Sequence, residues 1–350
     1  MRIPNFLKFP VYSFDLSDRS YKYLLLKEAK GRVLVRDFGE GEIQPGIMVK
    51  GEIIKPDLLI ALLKGIISKK KIKYVALALP EEKGFLRTVR LTGIKEEEIG
   101  QALELQLEEH IPLPAAEVAF NYSLGGKEKD HIDVILEAFP KTIVESYLDV
   151  FYRAGALPIY IESELNASKS SIIPADFKKA AMLIDFGRMR TSVSIVEGGA
   201  LRFATTIPIG GQALDEIIAK TLNVSLARAG ELKVENGFLK KKSEEGVFEA
   251  IVPIVSAIKE EAQKYIDYWQ THSEKREAPE RVYLYGGEAN LLGFPEYLMG
   301  EFGIEVSVAD PWVNVIFPGK YLPAIEWKDS IRYTTPVGLS LNAIKKEGIL

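Results

Sequence analysis

The chain has 350 residues, with 45 basic and 49 acidic side chains, a formal net charge of −4 and no cysteine. This balance excludes the large basic field by which many proteins bind nucleic acid, and the absence of cysteine excludes disulfides, thiolate metal sites and a cysteine nucleophile. A hydrophobic content of 47% is enough for the cores of two or three domains.

Neither a membrane span nor a secretion signal is predicted. No apolar run approaches the roughly 18 to 20 residues that a membrane-spanning helix requires. Residues 1–10 carry one Arg and one Lys but no long apolar core and no cleavage site of small residues. We therefore expect a protein of the reducing cytoplasm.

The N-terminal part of the chain reads as strands followed by a helix and a buried strand. Three strands are predicted between about residues 10 and 38, with Asp15 at the turn between the first two. Apolar residues at helical spacing predict a helix over about 58–67, and residues 74–79 form an apolar run typical of a buried strand.

Residues 84–158 have their own alternation of strands and helices, which indicates a compact insert. The helix that begins near Glu96 must stop at Ile111, because Pro112 and Pro114 disfavour a helical backbone before them and donate no N–H group. The predicted elements are strands at 85–91, 118–124 and 132–139 and helices at 96–110 and 141–154.

A second helix start follows the insert. Glu162 and Glu164 lie where a short strand gives way to a helix. Acidic residues are favoured at a helix N-terminus by the helix dipole whatever the function, so their position alone assigns no chemistry.

The stretch from Ala181 to Gly210 contains an acidic tight turn between two strands. An apolar run ends in Asp185, Gly187 permits a tight turn, and an alternating strand leaves from Thr191. Turn N–H groups can surround a phosphate while the carboxylate holds a hydrated Mg²⁺ beside it. An ordinary hairpin turn has the same residue types, so the pattern is weak when it occurs once.

The same pattern occurs near the N-terminus. FDLSDRSYKYLLL, which contains Asp15, and IDFGRMRTSVSIV, which contains Asp185, have the same spacing from the aspartate to the returning strand. Two similar halves that each present an acidic turn predict a cleft with a Mg²⁺-phosphate site between them.

The C-terminal part alternates helices with short strands. Pro253 lies within a long helical pattern, where it must either start the main segment or kink it. Gly286 and Gly287 follow a strand and allow the backbone to approach a flat ligand closely. The predicted elements are helices at 214–222, 227–237, 247–269, 293–302 and 335–344 and strands at 282–285 and 304–308.

These motifs resemble those of the actin-like ATP-binding proteins, and within them the family of type IV pilus assembly protein PilM, which is related to FtsA. Further similarities are the helix end ahead of Ile111-Pro112 and the Ile207-Pro208-Ile209-Gly210-Gly211 segment. The resemblance implies an α/β fold, the actin-like (ribonuclease H-like) two-lobed fold with an inserted small α+β subdomain of the 1C or SHS2 type. It divides the chain into a first lobe (10–83 plus 159–180), the inserted partner-binding subdomain (84–158) and a second lobe (181–350).

The resemblance also implies a site for ATP and Mg²⁺ between the lobes. Asp15 and Asp185 would hold Mg²⁺ through water, and Glu164, with Glu162 as the second candidate, would orient the attacking water. The implied nucleotide-binding residues are Asp15, Ser17, Lys22, Asp185, Gly187, Thr191, Gly210, Gly211, Lys233, Gly286 and Gly287.

The sequence departs from the family pattern at the site itself. Ser17 replaces a glycine of the first phosphate loop, and Gly230 replaces a glutamate expected to contact the ribose. Arg19, Arg188 and Arg190 either grip a phosphate or pair with Asp15 or Asp185 in the empty site. We therefore expect nucleotide binding with at most slow hydrolysis.

Three functions are compatible with these features. The first is a PilM-like scaffold that binds the N-terminal tail of a PilN-type inner-membrane protein and other pilus platform proteins, and so lies at the inner membrane through its partner. The second is an FtsA-like cell-division filament protein. FtsA-like proteins are expected to have a membrane-binding amphipathic helix at this end, and residues 345–350 are too short to form one, which weighs against this function. The third is a sugar-kinase-type phosphotransferase, for which no separate catalytic base stands out.

Overall fold

The computed structural model describes residues 9–29, 32–127, 130–239, 246–273, 277–318, 321 and 324–346. The predictions about a signal peptide and about a C-terminal membrane helix concern residues 1–10 and 345–350, most of which lie outside the described residues. Among the helices that are described, none has both the length and the apolarity needed to cross a bilayer.

Fifteen strands and ten α-helices make up the described structure. The strands are β1 (Val11–Leu16), β2 (Ser20–Ala29), β3 (Arg32–Glu42), β4 (Met48–Val49), β5 (Glu52–Ile53), β6 (Tyr74–Leu79), β7 (Phe85–Thr92), β8 (Val118–Lys127), β9 (His131–Pro140), β10 (Leu157–Ser163), β11 (Ala180–Phe186), β12 (Thr191–Glu197), β13 (Ala200–Ile207), β14 (Arg281–Tyr285) and β15 (Glu305–Val308). The helices are α1 (Pro56–Lys70), α2 (Ile99–His110), α3 (Lys141–Ala154), α4 (Glu164–Ile172), α5 (Gly211–Leu222), α6 (Leu226–Asn236), α7 (Val247–His272), α8 (Phe294–Phe302), α9 (Trp327–Ser330) and α10 (Thr334–Lys346).

Two five-stranded sheets with the same topology form the frame of the molecule. Their strand orders are β10-β6-β1-β2-β3 and β15-β14-β11-β12-β13. The central strand is β1 in one sheet and β11 in the other. Each pairs antiparallel with the next strand along the chain, β2 or β12, and parallel with a later strand, β6 or β14. The weak sequence repeat around Asp15 and Asp185 therefore corresponds to a repeat of the fold.

Apolar residues on both faces explain why the central strands are buried. Residues 181–184 of β11 are fully buried, as are Val75 and Ala76 of β6. Helices cover both faces of such sheets, so the strands read as continuous apolar runs in the sequence. The core of the second sheet contains buried residues of α5, α6, α7 and α8.

The insert is a three-stranded antiparallel sheet in the order β7-β9-β8 with α2 on one face. Ile99, Leu103 and Leu107 of α2 lie four residues apart and pack against the sheet. The helix ends at His110 and Ile111 is extended, as the two prolines after it predict. Residues 96–98 form a short 3-10 helix ahead of α2, so the α-helix begins three residues later than predicted.

Helices α3 and α10 both pack against the first sheet. Phe151 of α3 contacts Phe14 of β1, with ring centroids 5.0 Å apart. Val337 and Leu341 of α10 share a buried cluster with Leu24 of β2. The domain boundaries given above stay a prediction. Because α3 and α10 pack on the first sheet, we propose that both helices belong to the first lobe.

Candidate functional site

The two acidic turns have the same hydrogen-bonded geometry. In the turn between β1 and β2 the Ser17 N–H donates to the Ser20 carbonyl at 2.8 Å, and in the turn between β11 and β12 the Gly187 N–H donates to the Arg190 carbonyl at 3.0 Å. Each turn begins two residues after an aspartate at the end of the central strand of its sheet. Asp15 and Asp185 therefore occupy equivalent positions.

A cleft of about 460 Å³ lies between the two turns. It is lined by both aspartates, by both turns and by the glycine pair after β14. The predicted site residues that line it are Asp15, Ser17, Lys22, Glu164, Asp185, Gly187, Gly286 and Gly287. The predicted site residues outside its lining are Thr191, Gly210, Gly211 and Lys233.

The two aspartates create a demand for positive charge in the cleft. The pKa of Asp185 is raised to about 6, mainly because the carboxyl group is buried. The nearby Arg190 guanidinium opposes this rise, and the Asp15 carboxylate adds to it. Lys22 faces Asp15 across the strand pair, with its Nζ 3.8 Å from Asp15 Oδ2. Carboxylates that face a common space fit a hydrated Mg²⁺, which binds proteins through one or two carboxylates and keeps several waters.

Gly286 is required by the position of Asp185. Its φ is +92°, and a Cβ atom there would lie 2.1 Å from Asp185 Oδ1 and 2.7 Å from the Phe186 carbonyl oxygen. The absence of a side chain leaves the Asp185 carboxylate in place beside the backbone. The glycine is therefore part of the site geometry, whether or not it contacts a ligand.

Three predicted binding residues support the second turn from behind. The Thr191 hydroxyl donates to the Ile209 carbonyl at 2.7 Å. The Gly211 N–H donates to the Gly187 carbonyl at 3.0 Å, and a Cβ atom on Gly210 would lie 2.5 Å from the Arg188 carbonyl oxygen. These contacts fix the conformation of the turn, and the assignment of the three residues to nucleotide binding stays a prediction.

Lys233 is held in a buried ion cluster beside the cleft. Its Nζ lies 2.8 Å from Asp215 Oδ1 and 2.8 Å from Glu288 Oε2. The residue is 5% exposed. Glu288, which does line the cleft, thus separates Lys233 from it, and the ribose contact implied by the family pattern stays a prediction.

Arg190 pairs with two glutamates of the first half of the chain. Its guanidinium contacts Glu82, and its Nη2 lies 2.9 Å from Glu164 Oε2. Of the two alternatives, gripping a phosphate or pairing with Asp15 or Asp185, neither describes the ion pairs of Arg190 in this structure, because Glu82 and Glu164 reach the guanidinium from the other lobe. The two carboxylates leave Arg190 less available to grip a phosphate.

Glu164 and Glu162 have different surroundings. Burial raises the pKa of Glu164 to about 8, although Arg190 lowers it. Glu162 accepts hydrogen bonds from the Asn342 amide at 3.0 Å and from the Tyr160 hydroxyl at 3.1 Å, and it is absent from the lining of the cleft. Of the two candidates, Glu164 is the one that the structure places at the cleft.

Sequence reasoning missed Glu82 and Asp18. Glu82 lies beyond the carboxyl end of β6, which pairs in parallel with β1. Because the carboxyl ends of parallel neighbours meet at the same edge of a sheet, this position is the signal that would have placed Glu82 near Asp15. Asp18 accepts hydrogen bonds from the N–H groups of Lys50 and Gly51 at 2.7 and 2.9 Å and so fixes the first turn to the β4–β5 hairpin. No sequence pattern indicates this second contact.

Comparison with known proteins assigns the family. The model of the family "Type IV pilus assembly protein PilM" matches residues 13–344. A solved PilM-PilN type IV pilus biogenesis complex contains a chain with a TM-score of 0.81 at 19% identity, covering 98% of this chain and 99% of that one.

More distant structures share the fold. The ethanolamine utilization protein EutJ from Carboxydothermus hydrogenoformans has a TM-score of 0.56 at 15% identity and covers 97% of this chain and 91% of that one. MreB5 of Spiroplasma citri bound to ADP has a TM-score of 0.55 at 15% identity, with 98% of each chain covered. These matches confirm the actin-like α/β fold, and with the family match over residues 13–344 the chain belongs to the type IV pilus assembly protein PilM family.

Proposed function

We propose that this pilus assembly protein is a cytoplasmic scaffold that binds Mg²⁺-ATP between its two lobes. The observation that carries the proposal is the placement of Asp15 and Asp185 at equivalent strand ends on one cleft. Asp15 and Asp185 would hold the hydrated Mg²⁺, which would neutralise the phosphate charge. Lys22 would add a cation, and Gly286 and Gly287 would admit the rest of the nucleotide.

The surroundings of Glu164 support slow hydrolysis. A carboxylate acts as a general base toward water only when it can accept the proton, and the Glu164 Oε2 atom is already paired with Arg190 at 2.9 Å. Breaking this pair would leave a buried charge uncompensated, which costs roughly 3–5 kcal/mol. We infer that the nucleotide acts mainly as a conformational ligand that holds the two lobes together.

The partner that we propose is the N-terminal tail of a PilN-type inner-membrane protein, bound by the insert. The solved relative is a complex of PilM with PilN. Strand β8 of the insert pairs with β9 alone among the described strands, and Tyr122 and Leu124 on it are exposed. An open edge can accept an extended peptide. Through this partner the protein would lie at the inner membrane beside other pilus platform proteins.

Thermal unfolding with and without Mg²⁺-ATP tests the nucleotide site. A ligand at 100 times its Kd stabilises the folded state by about 2.7 kcal/mol, which raises the Tm by a few degrees. We expect Asp185→Ala to abolish this rise while the ligand-free protein still unfolds cooperatively. The exposed Asp176 has no ion pair among the described residues, so Asp176→Ala is the matched control and keeps the full rise.

Two results would count against the proposal. A wild-type Tm that Mg²⁺-ATP leaves unchanged would remove the nucleotide from the function. Unchanged ATP affinity in Asp185→Ala would show that the nucleotide binds elsewhere.

A further inference from the structure

The amino-terminal ends of three parallel strands meet at one edge of the first sheet. Val11 of β1 and Leu157 of β10 are both paired with Tyr74 of β6. Asp15, which lines the cleft, is near the carboxyl end of β1. This edge is therefore the one opposite the cleft, and we call its exposed residues the base: Phe9, Lys27, Lys69, Lys71, Lys73 and Leu157.

The four lysines of the base have no ion pair within the described ranges of the chain. Lys69 lies in the last turn of α1, Lys71 is the residue that caps this helix, and Lys73 precedes β6. Lys27 lies toward the end of β2, which runs antiparallel to β1 and so ends where β1 begins. Positive charge from three elements is thus collected at one edge of the sheet.

Helix stability accounts for only part of this charge. Cations near a helix C-terminus interact favourably with the helix dipole, which explains Lys69 and Lys71. Lys27 and Lys73 lie outside the helix and gain nothing from it. The whole chain has a formal net charge of −4, so the excess of positive charge is a property of the base and not of the surface in general.

Two apolar side chains are exposed beside these lysines. Phe9 is 59% exposed, and its ring centroid lies 5.0 Å from that of Tyr74. Leu157 is 48% exposed, and its N–H donates to the Lys73 carbonyl at 2.8 Å. An aromatic ring and an aliphatic side chain next to lysines are the groups that enter the interfacial region of an anionic bilayer.

We infer that the base binds the surface of an anionic membrane directly. The lysine ammonium groups would contact head-group phosphates, and Phe9 and Leu157 would enter the interface between them. The inference goes beyond the proposed function, in which the protein reaches the membrane only through its partner. A weak second attachment beside that partner raises the total affinity by making one of the two binding events intramolecular. The cleft, at the opposite edge of the sheet, stays accessible.

Cosedimentation of the full chain with lipid vesicles tests the inference without partner or nucleotide. We expect binding to vesicles of equimolar phosphatidylglycerol and phosphatidylcholine, and at least tenfold weaker binding to phosphatidylcholine alone. Raising the NaCl concentration from about 0.1 M to about 0.5 M should release the chain, because salt screens exposed charges.

A triple substitution removes charge from the base. Each lysine near an anionic surface strengthens binding about fivefold, so Lys69→Gln/Lys71→Gln/Lys73→Gln should weaken it roughly 100-fold. The matched control removes the same charge from exposed lysines elsewhere that have no ion pair in the described part of the chain. This control is Lys55→Gln/Lys220→Gln/Lys328→Gln, and it should bind within about threefold of the wild type. The Tm of each variant confirms that the fold is retained.

Phe9→Ala separates a membrane from an acidic protein surface. The ring leaves water only if it enters a bilayer interface, so this variant should bind anionic vesicles about tenfold more weakly than the wild type. Polyglutamate is the probe for the other class of partner. Wild-type binding to polyglutamate as tight as to the anionic vesicles, with Phe9→Ala unchanged on both, would replace the membrane by an acidic protein and overturn the inference.

The other failures are equally direct. Absence of binding to the anionic vesicles, or equal losses in the base triple and the control triple, would overturn the inference. Neither result bears on the nucleotide site, which thermal unfolding with Mg²⁺-ATP tests separately.

Discussion

Arg190 joins the two lobes through its side chain. It lies in the turn after β11, and the glutamates that hold it, Glu82 and Glu164, belong to the first half of the chain. All three side chains are at most 16% exposed. Removing one member of such a group is costly because the others stay buried without compensation.

Gly286 provides a sharp test at the level of one residue. Gly286→Ala forces a side chain into a backbone conformation with φ of +92° and places its Cβ against Asp185. Backbone strain of this kind costs about 1–3 kcal/mol, and displacement of the carboxylate should also abolish the rise in Tm with Mg²⁺-ATP. Urea unfolding and thermal unfolding measure the two effects.

The matched control for this substitution is Gly300→Ala. Gly300 lies on α8, and no atom is within 4 Å of a Cβ atom built on it. Alanine is the better helix former by about 0.5–1 kcal/mol, so this variant should be at least as stable as the wild type. If Gly286→Ala matched it in stability and in response to ATP, the close packing of Asp185 would be irrelevant.

Helix α7 shows how tertiary packing overrides a local signal. The helix runs unbroken over 26 residues, and Pro253 lies inside it, six residues after its start at Val247. Val247 and Ile251 on the first turns are fully buried in the core of the second lobe. Their burial offsets the cost of a proline in the helix interior, which is about 3 kcal/mol.

Replacing Pro253 should therefore stabilise the protein. Pro253 is exposed, so Pro253→Ala loses little packing and restores an N–H group to the helix. We expect the free energy of unfolding to rise by about 1–2 kcal/mol, less than the full helix cost because proline also restricts the unfolded chain. Urea denaturation with an unchanged m-value is the measurement.

An alanine at another exposed position of the same helix separates this effect from helix propensity. Glu260→Ala should change stability by less than about 0.5 kcal/mol. A Pro253→Ala variant no more stable than Glu260→Ala would mean that the helix is not strained by its proline.

Buried carboxyl groups at several places determine how the stability of the whole molecule depends on pH. Burial raises the pKa of Glu81 to about 7 and that of Glu162 to about 8, above the 4.5 of a free glutamate. Between these values the folded state binds more protons than the unfolded state. The free energy of unfolding should consequently fall as pH rises from about 5 to about 8.

Urea unfolding at pH 5.5, 7.0 and 8.5 measures this dependence. The Glu162→Gln variant keeps a carbonyl acceptor for Asn342 and Tyr160 but removes one titrating group, so its slope should be shallower. Stability that stays constant or increases over this interval would show that these carboxyl groups are already ionised in the folded protein.

The insert connects the two lobes at the level of the whole molecule. Arg202 of β13 donates to the Gly125 carbonyl of β8 at 2.7 Å, and the Thr206 hydroxyl donates to Glu81, just ahead of the insert, at 3.2 Å. These two hydrogen bonds join the second lobe to the insert and to the residues just ahead of it. Under the proposed function, they are the contacts through which a change at the nucleotide site would reach the insert.

The sequence by itself determined the features that depend on neighbours along the chain. The buried strands, the stop of α2 before Pro112 and the repeat of Asp15 and Asp185 are all readable from local spacing, since strands and helices impose fixed periods. The repeat also predicted a cleft between two similar halves, and both aspartates line one cleft in the structure.

Only the tertiary structure decided the pairings between distant residues. Arg190 selected Glu82 and Glu164 over the aspartates, and Lys233 selected Glu288 and Asp215. The packing of α3 and α10 on the first sheet belongs to the same class. Local patterns specify which side chains are buried or charged, but a pairing depends on the distances between elements far apart in the chain, and these distances are set by the packing of the two lobes against each other.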